Sequence, residues 1–405
     1  MPNSAPGHAA ASTQPPLPAP LARKALAGFF LSGLLFAFPG AILPAWRHYM
    51  TQDFVAVGYH FLSMNLGIVL SVLAARLLVR RGKISLLLLL SACVAYLSLM
   101  FLAFVPVTAP SYWHMAGIFG IGCATGLLNS GILQAIAGLY RRDRTATFNM
   151  AGALFGFGSI LIAALVAGTF YVYSVQSILI LVALVPAAFI ALYARTRFSA
   201  EAAPAEPTMR QALADFKSLG AILFALLLFF QFGNEWSIAG WLPLYLMQRL
   251  GVSAAWSLVL LALYWLALLV GRVVVFSFLP RVRRAKLLLA SVLAALFGCL
   301  MLLSTDNLFG AIVAVLLIGG GFASVYPLVA ERIGGRFPYY HPGFFNGIFS
   351  FALTGGLLAP WSLGYFTSWW GIRVVMGLPL LGTILVFLLL VLIWLESKLT
   401  ALEQA

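Results

Sequence analysis

Charged residues are scarce in this 405-residue chain: 24 basic and 10 acidic side chains make up 8% of it. A soluble protein of similar length carries about a quarter. Thirty-four charges cannot cover a water-facing surface, which excludes a globular soluble enzyme, a disordered scaffold and a nucleic-acid binder. Cysteine is scarcer still. Cys93, Cys123 and Cys299 all lie in apolar runs, too few and too scattered for a disulfide framework or a metal site, so they read as small buried hydrophobes. No GxxxxGK[ST] loop occurs, so no nucleotide drives the protein and no cofactor is expected. The five histidines are dispersed and no HExxH appears, which argues against a membrane-embedded enzyme.

Abundant instead are hydrophobic residues, 63% of the chain, with a mean hydropathy of +1.03. A spanning helix needs about 20 mostly apolar residues. Such stretches recur near 25–46, 54–79, 84–106, 112–139, 146–170 and 174–194. They resume near 219–247, 253–279, 286–304, 308–330, 343–366 and 374–395. The spacing therefore predicts an all-α polytopic membrane protein with twelve spans in two sets of six, glycine interrupting spans 5 and 11. Residues 1–22, rich in Pro, Ala and Ser, read as a disordered tail, the following apolar run being too long for a signal peptide. Two six-helix bundles, 23–196 and 219–398, flank a loop over 197–218, and 399–405 forms a second tail.

With the N-terminus placed in the cytoplasm, twenty basic residues fall on the cytoplasmic side and three on the other, Arg47, Arg249 and Arg373; Arg272 remains inside a span. That asymmetry follows the positive-inside rule and accounts for the net charge of +14 without a polyanionic partner. Both termini are expected in the cytoplasm of a bacterial inner membrane, in a monomer.

The two sets copy each other. An offset of 197 lays Asn149 on Asn346 and Gly158 on Gly355, and one of 199 lays Leu43-Pro44 on Leu242-Pro243. Parallel repeats of this kind describe a transporter working around a central cavity.

Of the ten acidic residues only Glu235 sits deep in a span, about 16 residues and ~24 Å from its start at Leu219. Carboxylates at that depth cost at least ~2.5–3.5 kcal/mol on insertion scales, and a carboxyl withdrawn from water holds its proton more readily. Glu235 is thus a proton-coupling candidate, the other reading being a hydrogen bond tying its helix to a neighbour, through Asn234 for instance. His60 is a second candidate relay. Arg272 and Glu331 lie toward the cytoplasmic side, where a pair between them would lower the desolvation cost of each; with Arg76 and Arg80 they form the candidate gating set. Polar groups on otherwise apolar helices supply candidate substrate contacts. These are Tyr59, Asn65, Asn129 and Asn149 in the first half, and Gln231, Asn234, Trp236, Tyr264, Tyr326 and Asn346 in the second. Amides suit hydroxyls and an indole face suits a sugar ring, while bonds between helices would satisfy the same groups. Glycines at matching places in both halves suit close helix approach and rocking of one bundle on the other.

Over residues 23–398 the chain resembles the major facilitator superfamily. Ala75-Arg76-Leu77-Leu78-Val79-Arg80-Arg81-Gly82-Lys83 is similar to that family's Gly-x-Leu-Ala-Asp-Arg-x-Gly-Arg/Lys loop, departing from it at Ala75 and at Val79, where the family carries a gate-latching aspartate. The run Gly233-Asn234-Glu235-Trp236-Ser237-Ile238-Ala239-Gly240-Trp241 and the Gly271-Arg272 pair resemble the fucose-permease-like group. The resemblance implies a secondary transporter for a small, sugar-like solute, coupled to protons and working by alternating access. Export of amphipathic compounds is the alternative, supported by the 32 Phe, 14 Tyr and 10 Trp.

Overall fold

The computed structural model describes residues 19–46, 53–137, 139, 144–198, 216, 218–278, 281–336 and 347–403. Among these, twelve helices are long and apolar enough to cross a membrane, and there is no strand. The first six are α1 (Ala19–Ile42), α2 (Phe54–Arg80), α3 (Ile84–Phe104), α4 (Ser111–Ala135), α5 (Arg144–Thr169) and α6 (Val175–Ala194). The second six are α7 (Leu219–Leu250), α8 (Ala254–Phe278), α9 (Arg284–Ser304), α10, α11 (Gly347–Trp370) and α12 (Val374–Glu403). The tenth consists of α10a (Leu308–Phe322) and α10b (Val325–Arg336). Odd-numbered helices run from the face bearing both ends of the described chain, the terminal face, to the far face.

Local chemistry sets the ends. Asp53 caps α2 by accepting the Ala56 N–H at 2.9 Å, and Asn307 caps α10a through Gly310 N–H at 2.7 Å, each satisfying a donor that the first turn leaves free. Gly251 closes α7 at φ +65°, and Gly82 of the α2–α3 loop sits at φ +67°, a left-handed conformation that favours glycine. Spans 5 and 11, expected to be interrupted, are continuous. The break falls in span 10 instead, between Phe322 and Val325, one turn ahead of the missing N–H of Pro327.

Helix packing repeats between the halves. α1 packs on α5 as α7 does on α11, α2 on α4 as α8 on α10a, and α3 on α6 as α9 on α12. A Cβ on Gly158 would overlap the Phe30 carbonyl, and one on Gly355 the Phe229 carbonyl. Gly122 meets the Met64 carbonyl as Gly319 meets that of Tyr264. The duplication read from the sequence is thus a duplication of backbone contacts.

Outside, the usual soluble pattern is inverted. Phe297 and Leu300 on α9 and Leu381, Leu388 and Leu392 on α12 are exposed, as suits helices solvated by hydrocarbon. Cys299 is buried, but Cys93 and Cys123 are only partly so, because their helices have an outer side.

The halves meet along α2–α11 and α5–α8, with α1 against α7. Near the far face the contact is tight: Tyr59 and Tyr365 hydroxyls lie 2.6 Å apart, and a Cβ on Gly58 would come within 2.6 Å of the Trp361 carbonyl oxygen. Below them Phe36, Phe61 and Asn65 meet Trp236, Gly240 and Pro360 around a void of about 20 Å³, close to the room one water needs. Near the terminal face three ties join described residues of the same half: Ser85 with Phe198 at 2.7 Å, Arg284 with Glu331 at 2.8 Å, and Arg336 with both Glu396 oxygens at 2.7 and 2.5 Å.

Candidate functional site

The candidate centre lies where α7 and α8 face α1 and α5. Glu235 is partly buried, and its Oε1 accepts a hydrogen bond from Gln231 Nε2, one turn earlier on α7, at 2.7 Å. Gln231 is 1% exposed, so this bond satisfies an amide that would otherwise lie orphaned in the protein. On α8, Tyr264 is fully buried and its hydroxyl donates to the Glu235 backbone carbonyl at 3.4 Å. Two turns beyond, Arg272 lies within electrostatic range of Glu235, Tyr264 and Tyr326. Helical side chains lean toward the N-terminus of their helix, which on α8 carries the guanidinium from the terminal side toward the level of Glu235. The space it occupies is a notch left by Gly152 on α5, where a Cβ would stand 2.8 Å from Arg272 Nη1.

Aromatic rings floor this centre on the far side. Phe36 of α1 meets Trp236 edge-on with centroids 4.6 Å apart, Phe155 of α5 at 5.6 Å and Trp265 of α8 at 6.5 Å. Offset and edge-on pairs of this kind are the favoured geometry. Tyr326, on α10b, packs on Phe232 at 5.2 Å and Phe349 at 6.1 Å.

Several expected site residues are engaged elsewhere. Asn65 donates to the Leu357 carbonyl across the α2–α11 seam at 2.5 Å. Asn129 accepts from Ser32 at 2.8 Å, joining α4 to α1, and Asn234 donates to Thr383 on α12 at 3.3 Å. These amides make the inter-helix bonds that buried polar groups require. Tyr59 belongs to the far-face seam, and His60 to a cluster with Trp46 and His114, its Nδ1 2.7 Å from the Ala56 carbonyl. Asn149 lies partly buried on α5, one turn from Gly152, and Asn346 lies outside the described residues. Arg76 and Arg80 are exposed at the terminal end of α2.

One expectation is corrected. Arg272 and Glu331 do not pair; Glu331 is exposed at the surface with Arg284, since α10b turns it away from α8, and Arg272 shares the central space with Glu235. Sequence reasoning missed Phe36, Phe155 and Trp265, three apolar-looking aromatics in a chain that is 14% aromatic. The repeat offset was the available signal, since the shift of 199 that matches the Leu-Pro pairs also lays Phe36 on Glu235.

A carboxyl that can take a proton, a fixed cation, phenols and ring faces thus converge where the halves meet. The model of the Major Facilitator Superfamily matches residues 25–358. No curated protein matches the chain in sequence. Among solved structures, a variant of the nucleoside transporter NupG superposes with a TM-score of 0.71 at 14% identity, covering 92% of this chain and 99% of that one. The E. coli fucose:proton symporter FucP gives 0.56 at 14% identity, over 92% and 98%. A bacterial homologue of the human lysosomal transporter Spinster, inward-facing and unoccupied, gives 0.67 at 14%, over 94% and 98%. At such identities the likeness concerns the fold.

Proposed function

The chain belongs to the Major Facilitator Superfamily, a transporter and not an enzyme, and from that premise we propose that it carries a small polar solute across the membrane together with a proton. The observation that carries this reading is Glu235, held by Gln231 and within electrostatic range of Arg272 at the junction of the halves. A carboxyl there can load a proton when the centre is open to one side and unload it when open to the other. The sugar-like character of the solute is supported by the ring faces of Trp236 and Trp265 beside hydrogen-bonding groups at Gln231, Tyr264 and Tyr326.

The basic bias of the loops supports cytoplasmic termini in a bacterial inner membrane. In that orientation the far-face seam of Tyr59, Tyr365, Gly58 and Gly364 closes the outer side. Transport then consists of rocking the halves about the central residues, the seam parting as the terminal side closes. Arg76 and Arg80 serve that closure from α2; because Val79 replaces the family's acidic latch, the closed inner side relies on other contacts.

A thermal-shift screen of the purified protein against sugars, organic acids and lipophilic cations finds the solute, since a ligand stabilises the state it binds. In proteoliposomes Glu235→Gln then abolishes uphill accumulation of that solute while counterflow exchange persists in part. Unchanged uphill uptake in the variant removes Glu235 from the mechanism.

A second reading, export of amphipathic compounds, has the four-ring cluster of Phe36, Phe155, Trp236 and Trp265 in its favour. It requires that cells expressing the protein hold less of the solute than cells lacking it.

A further inference from the structure

We propose that the solute is an anion, a small hydroxylated monocarboxylate whose carboxylate is taken by the Arg272 guanidinium when a proton is taken by Glu235. This inference rests on Glu235 as the proton-coupling group and adds the substrate's charge.

The argument begins with the charges that face the centre. α7 contributes Glu235, and α8 contributes Arg272 and Tyr264; α10b adds Tyr326 and α9 adds Cys299 beside Tyr264. α5 presents Gly152 and Gly156 there, which carry no titratable group. Phenols and thiols are neutral near pH 7, and a guanidinium does not give up its proton in proteins. The centre therefore holds one permanent positive charge and one negative charge that a proton can erase. With Glu235 ionised the two cancel. With Glu235 protonated the Arg272 charge stands alone at the junction of the halves, where it demands an anionic partner. A neutral sugar leaves it alone, whereas a carboxylate restores the balance.

Unused donors mark the place. Arg272 Nε and Trp265 Nε1 are both buried with no hydrogen-bond partner among the described residues. They are seven residues apart, two turns of α8, on the side that faces Phe155 and Gly152 of the other half. Arg272 offers a carboxylate its Nε–H together with an Nη, the fork geometry that suits two parallel hydrogen bonds. Trp265, 4% exposed, offers a single donor beside a ring face, which suits a hydroxyl further along the same molecule. Proton and anion thus bind as a unit and leave as a unit, and the loaded centre carries the same net charge as the empty one. Transport is electroneutral, one proton per anion.

The experiment compares matched probes on the purified full-length protein: glucuronate with glucose, gluconate with sorbitol, and glycerate with glycerol. Binding is read by calorimetry and by quenching of tryptophan fluorescence, and proton uptake by a dye in weakly buffered solution. In at least one pair the acid binds about ten- to a hundredfold more tightly than its neutral counterpart, the range of a charge-assisted hydrogen-bond pair, with one proton taken up per anion. Glu235→Gln binds that acid as tightly but takes up no proton. Arg272→Gln loses the preference for the acid, and Arg272→Lys keeps part of it. The double variant Glu235→Gln/Arg272→Gln, which leaves no unpaired charge, checks that loss of binding is not loss of fold. The proposal is overturned if the neutral member binds as well in every pair, if no probe binds, or if the acid preference survives Arg272→Gln. A neutral solute whose uphill uptake still fails in Glu235→Gln would sink the anion assignment and leave proton coupling standing.

Discussion

Position 36 on α1 and position 235 on α7 are equivalent places in the two halves, and one holds a phenyl ring where the other holds a carboxyl group. Phe36 packs its ring on Trp236 and Trp265, while Glu235 bonds Gln231 and lies within electrostatic range of Arg272. The same asymmetry extends to the next helices. On α2 the basic residues Arg76 and Arg80 lie exposed at the terminal end, whereas on α8 Arg272 reaches inward to the Gly152 notch. Duplication has preserved the scaffold, down to the glycines that let α5 and α11 touch α1 and α7, but not the chemistry. Both halves supply ring surface, but the charges come from the second half alone and the room at Gly152 from the first. A carrier that rocks needs matching mechanics on both sides, yet a proton needs a single place to bind.

The largest expected effect comes from erasing that difference. Phe36→Glu puts a second carboxyl against Trp236 with no cation of its own half beside it. It should lower stability by at least about 2.5–3.5 kcal/mol, the cost of a charge at that depth, seen as an earlier thermal unfolding transition in detergent. A change of that size confined to high pH would show the new group to be neutral when protonated, sharpening the comparison. Next in size are Gly158→Ala and Gly355→Ala. Each added methyl meets a backbone carbonyl, and overpacking of that kind costs about 1–3 kcal/mol. Because the two contacts are equivalent the losses should be similar; a wide gap between them would break the claim that the scaffold is shared. Smallest is Glu331→Gln. Its pair with Arg284 is solvent-exposed and contributes about 0–1 kcal/mol, so neither melting nor transport should change much.

How far the sequence alone reached follows the same division. The twelve spans were legible because hydrocarbon demands about 20 apolar residues at a time, and Glu235 stood out because acidic residues are absent from every other span interior. The asparagines were not legible as site or scaffold, because an amide on an apolar helix looks the same whichever way it faces. Asn65, Asn129 and Asn234 turned out to bind neighbouring helices. The partner of Arg272 was misjudged for a related reason: depth along a helix says which residues share a level, not which share a face. Spans 5 and 11 stay continuous because their glycines serve close helix contact rather than interruption, and proline is no surer guide to a break, since Pro186, Pro243 and Pro360 lie inside unbroken helices.

The bare backbone seam at Gly58 and Gly364 has a consequence for which way the protein rests. Phe54 and Trp361 carbonyl oxygens lie where side chains would otherwise begin, so nothing there can swing aside. Any larger residue at either position acts as a doorstop, propping the shut end ajar and tilting the resting balance toward the opposite opening, at a distance from every group that handles cargo.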